Sequence, residues 1–273
     1  MSKLHGNIFT LWLANVPVIV LQGYQAVKEG MTAHAEEVAG RPQNLAFEIL
    51  THGRGVMFSN GHLWKQQRRF GLVTMRKMGV GKKDQECQIQ EEACHLVEYL
   101  RGTNEKVQKE LDAVLGSSNV VCYMDRKRLP YTNAVIHEIQ RFSNIVLIAL
   151  PRKTMKDTEL LGYPIPKVQA FLVNIDSVLS DPEKWETPDQ FNPGHFLDKD
   201  GNFVHREAFL PFSIGSRVCM GELLARLELF IVFSTLLRAF KFTLPDGVKE
   251  VNTKFVFGSI MKPPPFQLCA VPR

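Results

Sequence analysis

The feature that most constrains this chain is a cysteine set between two glycines just ahead of a long apolar stretch. It reads Phe212-Ser213-Ile214-Gly215-Ser216-Arg217-Val218-Cys219-Met220-Gly221, and residues 220–240 that follow are strongly apolar. Residues 220–240 are expected to form a helix buried on most of its faces. A cysteine placed there gains thiolate character from the positive end of the helix. Gly215 and Gly221 let the backbone turn and come close to a flat ligand. Arg217 adds a fixed cation near the sulfur, and Phe212 adds an aromatic cover against solvent. Five fixed positions at this spacing recur by chance in roughly one sequence in 10⁴, which outweighs the alternative of an ordinary buried thiol.

The bulk composition is that of a globular protein: 273 residues, 45% hydrophobic and 22% charged. With 33 Lys and Arg against 28 Asp and Glu the formal charge is +5, too mild for a nucleic-acid-binding protein and well suited to an acidic protein partner. Cysteines at 87, 94, 122, 219 and 269 form no CxxC pair, so reduced thiols facing a cytosolic compartment are expected. Neither these cysteines nor the histidines at 5, 34, 52, 62, 95, 137 and 205 show metal-site spacing. The apolar run 11–21 is broken by Asn15 and Pro17 and is too short to span a bilayer.

Along the chain, residues 8–22 read as two β-rich runs broken at 15–17, followed by a helix over about 24–30. Helical spacing recurs over 64–77, 84–101, 104–115 and 130–142, with Gly116-Ser117-Ser118 as a break. Residues 143–175, punctuated by Pro151, Gly162, Pro164 and Pro166, read as short strands over 145–150 and 170–175. Residues 181–216 form a loop-rich stretch of the length that usually carries function.

Three further patterns accompany the cysteine loop. Glu138-Ile139-Gln140-Arg141 places a carboxylate and a guanidinium on one helix face. Phe191-Asn192-Pro193-Gly194-His195-Phe196 lies downstream, and Trp64-Lys65-Gln66-Gln67-Arg68 sets tryptophan and arginine one turn apart. With the cysteine loop, which matches F-x-x-G-x-R-x-C-x-G, these motifs resemble the cytochrome P-450 superfamily of haem-thiolate monooxygenases, and the histidine at 195 resembles its vertebrate microsomal family 2.

That resemblance implies a mainly α fold with a small β-region and haem b ligated through iron by Cys219. It implies cofactor contacts from Trp64, Arg68, Arg152, Phe212, Arg217 and Gly221, with the arginines and the tryptophan toward the propionates. Glu138, Arg141 and His195 become a buried structural set, and Val146, Leu147, Ile148, Ala149 and Leu150 a substrate-pocket wall. The implied reaction inserts one atom of O₂ into a lipophilic substrate, a fatty acid or a foreign compound. Electrons come from NADPH through a flavoprotein reductase, with cytochrome b5 as a second donor, at the cytosolic face of the endoplasmic reticulum membrane.

The resemblance covers two blocks, 1–101 and 102–273, which together make one incomplete haem-thiolate domain. Complete members carry between them a helical region with an A-G-x-[DE]-T pattern; here Arg101-Gly102-Thr103-Asn104-Glu105 runs directly into Lys106. No catalytic acid or threonine is assigned, and the hydrophobic anchor of microsomal members does not precede residue 3. Two other classes therefore stay open: a catalytically silent haem-binding product and a non-haem interaction protein.

Overall fold

Residues 8–13 and 16–21 are rich in β-branched and aromatic side chains, which favour a pleated surface, and in the computed structural model they form an antiparallel hairpin turned at Ala14, φ 53°. The structure describes residues 2–42, 51–52, 54–77, 105–116, 120–248, 256, 260–261 and 264–273. In chain order come β1 (Ile8–Leu13), β2 (Val16–Leu21), α1 (Tyr24–Thr32), α2 (Gly61–Lys77), α3 (Glu105–Leu115) and α4 (Pro130–Phe142). Then follow β3 (Arg152–Lys153), β4 (Thr158–Leu160), β5 (Tyr163–Ile165), β6 (Ala170–Val173) and α5 (Asp176–Leu179). The last are α6 (Glu222–Ala239), β7 (Phe240–Thr243) and β8 (Cys269–Pro272). The helix expected over 84–101 lies outside the described residues.

The chain divides into two compact units, each drawing on both sequence blocks. The first comprises Met1–Met75, Val146–Pro188 and Glu207–Met220, the second Arg76–Ile145, Asp189–Arg206 and Gly221–Arg273. In the first unit the sheet runs β1-β2-β6-β3, with β2 and β6 parallel and Val18 opposite Ala170. Leu21, Val27, Met31, Phe171, Val173 and Trp185 form its buried interior. The Trp185 indole N–H donates to the Val178 carbonyl at 2.9 Å, so burial of the ring leaves no polar atom unpaired.

The expected strand over 145–150 does not form. Ile148 makes one isolated bridge to Asn174, the Ala149 amide donates to the Val173 carbonyl at 3.0 Å, and regular pairing with β6 begins only at Arg152. The register slips by one residue between the two pairings, Ile148 opposite Asn174 and Arg152 opposite Phe171, so residues 145–150 do not continue β3 as one strand. Sequence reasoning also passed over the β4–β5 hairpin, and over β7–β8, whose strands lie far apart in the chain.

In the second unit α3, α4 and α6 share a core of Val107, Leu111, Leu129, Val135, Leu227, Phe230 and Ile231. Pro130 occupies the first turn of α4, where a missing amide hydrogen costs nothing. The next two amides, of Tyr131 and Thr132, donate to the Glu110 carboxylate from α3 at 2.9 and 2.7 Å. A negative group is thus held at the positive helix end. At the other end of α6, the Gln108 side-chain amide donates to the Leu237 and Phe240 carbonyls at 3.2 and 2.9 Å. The helix expected over 220–240 is narrower, and it is not buried all round: Leu223 and Leu229 are 48% and 42% exposed.

His137 of α4 packs against the rings of Phe196 and Phe203, at centroid distances of 5.4 and 4.7 Å. Burial, reinforced by the cations Arg226, His205 and Arg126, holds its pKa down at about 4, although its bond to the Asn133 carbonyl works the other way. An unfolded histidine protonates near 6.5, so as pH falls from there to about 4 the unfolded chain takes up a proton that the folded unit refuses. Stability of the second unit should fall over that window by on the order of 3 kcal/mol. Urea midpoints measured between pH 7 and 4 should show this slope, and His137→Gln should flatten it.

Candidate functional site

The cysteine loop is built by short-range backbone bonding. The Cys219 amide donates to the Phe212 carbonyl at 3.1 Å, and inside that ring the Val218 amide donates to the Gly215 carbonyl at 3.0 Å. Gly215 has φ +80°, and a Cβ there would meet the Met31 carbonyl oxygen at 2.2 Å, so both backbone and space exclude any side chain. Ser213 is held at φ 65°, a conformation that most side chains avoid. Gly221 behaves differently: it precedes α6 at φ −88°, which any residue adopts. Phe212 is half-buried, whereas Cys219 is exposed. The loop therefore presents a free sulfur from a rigid turn.

Around it the first unit gathers guanidinium groups. Arg68 donates to the Val218 carbonyl at 2.9 Å; burial lowers its pKa, and the sulfur of Cys219 opposes that shift. Arg217 donates to the carbonyls of Ala39, Val56 and Ser59 at 2.7, 3.2 and 2.8 Å and lies 3.8 Å from the centroid of the Trp64 ring. Desolvation, and after it the charges of Arg41, Arg152 and Arg68, bring its pKa down to about 9. Arg152 is 1% exposed; one of its nitrogens reaches the Ser213 hydroxyl and the Ile214 carbonyl at 3.1 and 3.2 Å. Its Nε and Nη1, and Nε1 of buried Trp64, have no hydrogen-bond partner among the described residues.

A buried donor left unpaired costs about 1–3 kcal/mol, and like charges brought together add to that. Both penalties are relieved by one kind of ligand, an anion with several oxygens. The site residues Trp64, Arg68, Arg152, Phe212, Arg217 and Cys219 thus fall together in the first unit. Arg41 belongs with them and carries no spacing signal in its Gly-Arg-Pro context. The wall residues are in the same unit: Ala149 is buried, Val146 and Leu147 are partly buried, and Ile148 and Leu150 are 50% and 41% exposed.

Glu138, Arg141 and His195 meet in the second unit, all three at least 98% buried. Arg141 holds the Glu138 carboxylate with two parallel bonds of 2.8 and 2.7 Å and also donates to the Gln190 carbonyl at 2.9 Å. The Asn192 amide donates to Glu138 at 2.8 Å, and Nδ1 of His195 lies 3.2 Å from its Oε2. The two Arg141–Glu138 bonds lie within α4, and the bonds to Gln190, Asn192 and His195 tie that pair to the 190–195 loop.

A soft sulfur exposed on a tight loop and buried N–H donors suited to an oxygen-rich anion occur in the same unit, the arrangement of a protein that can take an anionic ligand. Sequence comparison narrows this to a family. A sequence model of the cytochrome P450 family matches residues 1–106 and 102–270 in two pieces, and the chain belongs to that family of haem-dependent monooxygenases. Cytochrome P450 2C25 of Mesocricetus auratus is 29% identical over 432 positions, covering 99% of this chain and 88% of the relative. Cytochrome P450 2C8 of Homo sapiens is 28% identical over the same span and coverage. An alignment of 432 positions is longer than a chain of 273 residues, so these relatives carry an internal stretch that has no counterpart here. Cytochrome P450 2D4 of Rattus norvegicus is 49% identical over 168 residues, 62% of this chain and 34% of the relative. The fold is a family fold shortened internally.

Removing one member of a buried ion pair leaves the other charge unpaired and costs about 3–5 kcal/mol. Glu138→Ala should therefore lower the unfolding free energy of the second unit by that amount, read from urea denaturation. A surface pair, by contrast, would change it by less than about 1 kcal/mol.

Proposed function

We propose that this chain binds haem b with Cys219 as the iron ligand. In this reading it inserts one atom of O₂ into a lipophilic substrate, a fatty acid or a foreign compound, using electrons that NADPH supplies through a flavoprotein reductase or cytochrome b5. The observation that carries this reading is the set of buried donors without partners, Trp64 Nε1 and Arg152 Nε and Nη1, in the unit that exposes the Cys219 sulfur. When bound, thiolate-ligated haem supplies the oxygen-activating chemistry, since a thiolate ligand favours O–O cleavage.

The chain's own residues bind and orient. Arg152 and Trp64 would satisfy their open N–H groups on propionate oxygens, with Arg68 and Arg217 adding charge and Phe212 and Gly221 framing the ring. Ile148 and Leu150 offer exposed apolar side chains to a greasy substrate, beside Val146, Leu147 and Ala149. In this reading residues 1–273 form a single incomplete haem domain working at the cytosolic face of the endoplasmic reticulum. Among the described residues no helix is long and apolar enough to cross a membrane.

A second reading, a haem-binding but catalytically silent product, is favoured by the internal stretch that the relatives carry and this chain lacks. The carbon-monoxide difference spectrum of the reduced chain tests the shared part. Cys219→Ala should abolish the thiolate signature, whereas Cys122→Ala and Cys269→Ala should keep it; an unchanged Cys219→Ala spectrum would refute the assignment. NADPH consumption coupled to a hydroxylated product separates the two readings. A chain that takes up no haem is an interaction protein.

The partner follows from α2. Arg69, Arg76 and Lys77 are exposed, while Lys65 pairs with Glu36 at 2.9 Å; Lys82 and Lys83 of the same basic cluster lie outside the described residues. An acidic donor docking on this helix should be screened by salt, because the Debye length falls from about 10 Å at 0.1 M to about 3 Å at 1 M. Reduction by the flavoprotein should slow as salt rises. Arg69→Glu and Lys77→Glu should slow it at low salt while haem content stays constant.

A further inference from the structure

Arg41 is 6% exposed, and the partners of its guanidinium among the described residues are all backbone carbonyls. Its Nη1 donates to Leu150 at 2.6 Å and to Pro151 at 2.9 Å, and its Nε to Met57 at 3.1 Å. Asn60 grips its backbone from both sides, accepting the Arg41 amide at 2.6 Å and donating to the Arg41 carbonyl at 3.1 Å. The two preceding residues extend the seam. The Gly40 carbonyl accepts from the Lys153 amide at 2.8 Å, and the Ala39 carbonyl accepts from Nε of Arg217 at 2.7 Å. Gly40 leaves no room for a side chain, since a Cβ would lie 2.6 Å from the Lys153 carbonyl oxygen.

What this seam controls is the aim of Arg152. The strand that carries Arg152 pairs over two residues only and follows Pro151, which has no amide to anchor it. Nη1 of Arg41 reaches the carbonyls of both Leu150 and Pro151 while its Nε holds the Met57 carbonyl, and this adds to the short backbone pairing of the strand. With its backbone fixed, Arg152 keeps Nε and Nη1 unpaired in a buried position. The same bonds hold the backbone at Leu150, whose side chain is exposed.

We propose that Arg41 is a positioning residue that fixes the direction of Arg152 and the Leu150 wall, and so sets how firmly a carboxylate-bearing cofactor is retained. This rests on the haem reading above. In the full chain loaded with haem, Arg41→Met should speed haem transfer to excess apomyoglobin about tenfold, the equivalent of one charged hydrogen bond. Arg41→Lys keeps the charge but offers one nitrogen where Arg41 uses Nε for Met57 and Nη1 for Leu150 and Pro151, and it should not restore retention. Arg152→Gln alone should speed loss by a similar factor, and adding Arg41→Met to it should change the rate by less than about twofold, because both act through one guanidinium.

A second measurement needs no haem. In the haem-free chain, amide hydrogen exchange at Arg152 and Lys153 should rise about tenfold or more in Arg41→Met, while exchange at Leu160 in the β4–β5 hairpin stays unchanged. Asn60→Ala, a milder change, should raise it at the same two amides by a smaller factor. Rescue by Arg41→Lys, multiplied losses in the double variant, or unchanged exchange at Lys153 would each overturn the proposal. A wild-type chain that takes up no haem would overturn the haem reading instead, and exchange at Lys153 then decides the Arg41 assignment alone.

Discussion

Buried positive charge without a matching carboxylate is the constraint on which the first unit depends. Arg41, Arg152 and Arg217 are each at most 8% exposed, and their hydrogen-bond partners among the described residues are carbonyl oxygens and one serine hydroxyl. Removing a cation from water costs several kcal/mol even after relaxation, and carbonyl dipoles return only part of it. Burial moves Arg41 down to about 10, and burial followed by the charge of Arg41 moves Arg152 down to about 9. Among the described residues the three guanidinium groups are held by neutral oxygens and no carboxylate offsets that cost. Any ligand that binds the folded form alone stabilises it by mass action, so cofactor binding and stability of this unit are linked quantities.

The second unit treats charge in the opposite manner. Glu138 sits at 0% exposure, yet its carboxylate is surrounded by Arg141, the Asn192 amide and His195. Glu110 likewise neutralises the start of α4 and serves three donors at once. Nothing in this arrangement calls for a ligand. Among the described residues the second unit pairs its buried charges, whereas the first leaves buried N–H groups of Trp64 and Arg152 open.

Much of this was legible in the sequence where the physics is local. The spacing of Glu138 and Arg141 puts them on one helix face, and the glycine and cysteine pattern of 212–221 demands a tight turn; the structure has both. Gly215 was legible because its constraint is its own backbone, whereas Gly221 was grouped with it on pattern and has an ordinary φ. What escaped were interactions that join distant residues through the main chain. Arg41 reaches residues 109 and 110 positions away through carbonyls that every residue possesses, so no side-chain pattern marks the contact. The strand expected over 145–150 failed for a similar reason: apolar, β-branched side chains were present, but the backbone register slips by one residue before Arg152, which no side-chain pattern marks.

The parallel pairing of β2 with β6 has a consequence for how the chain is made. Val18 and Ala170 are neighbours in the sheet but 152 positions apart in the sequence. At a synthesis rate of about 5–20 residues per second, the β1–β2 hairpin waits on the order of ten to thirty seconds for its partner to leave the ribosome. During that interval the edge of β2 that later pairs with β6 presents unpaired amides and carbonyls flanked by Val18, Ile19, Val20 and Leu21, a template for non-native strand addition. The high sequence separation of these contacts places sheet closure late and makes it slow. The nascent chain is therefore most vulnerable to aggregation before residue 170 emerges, at a stage when the cysteine loop does not yet exist.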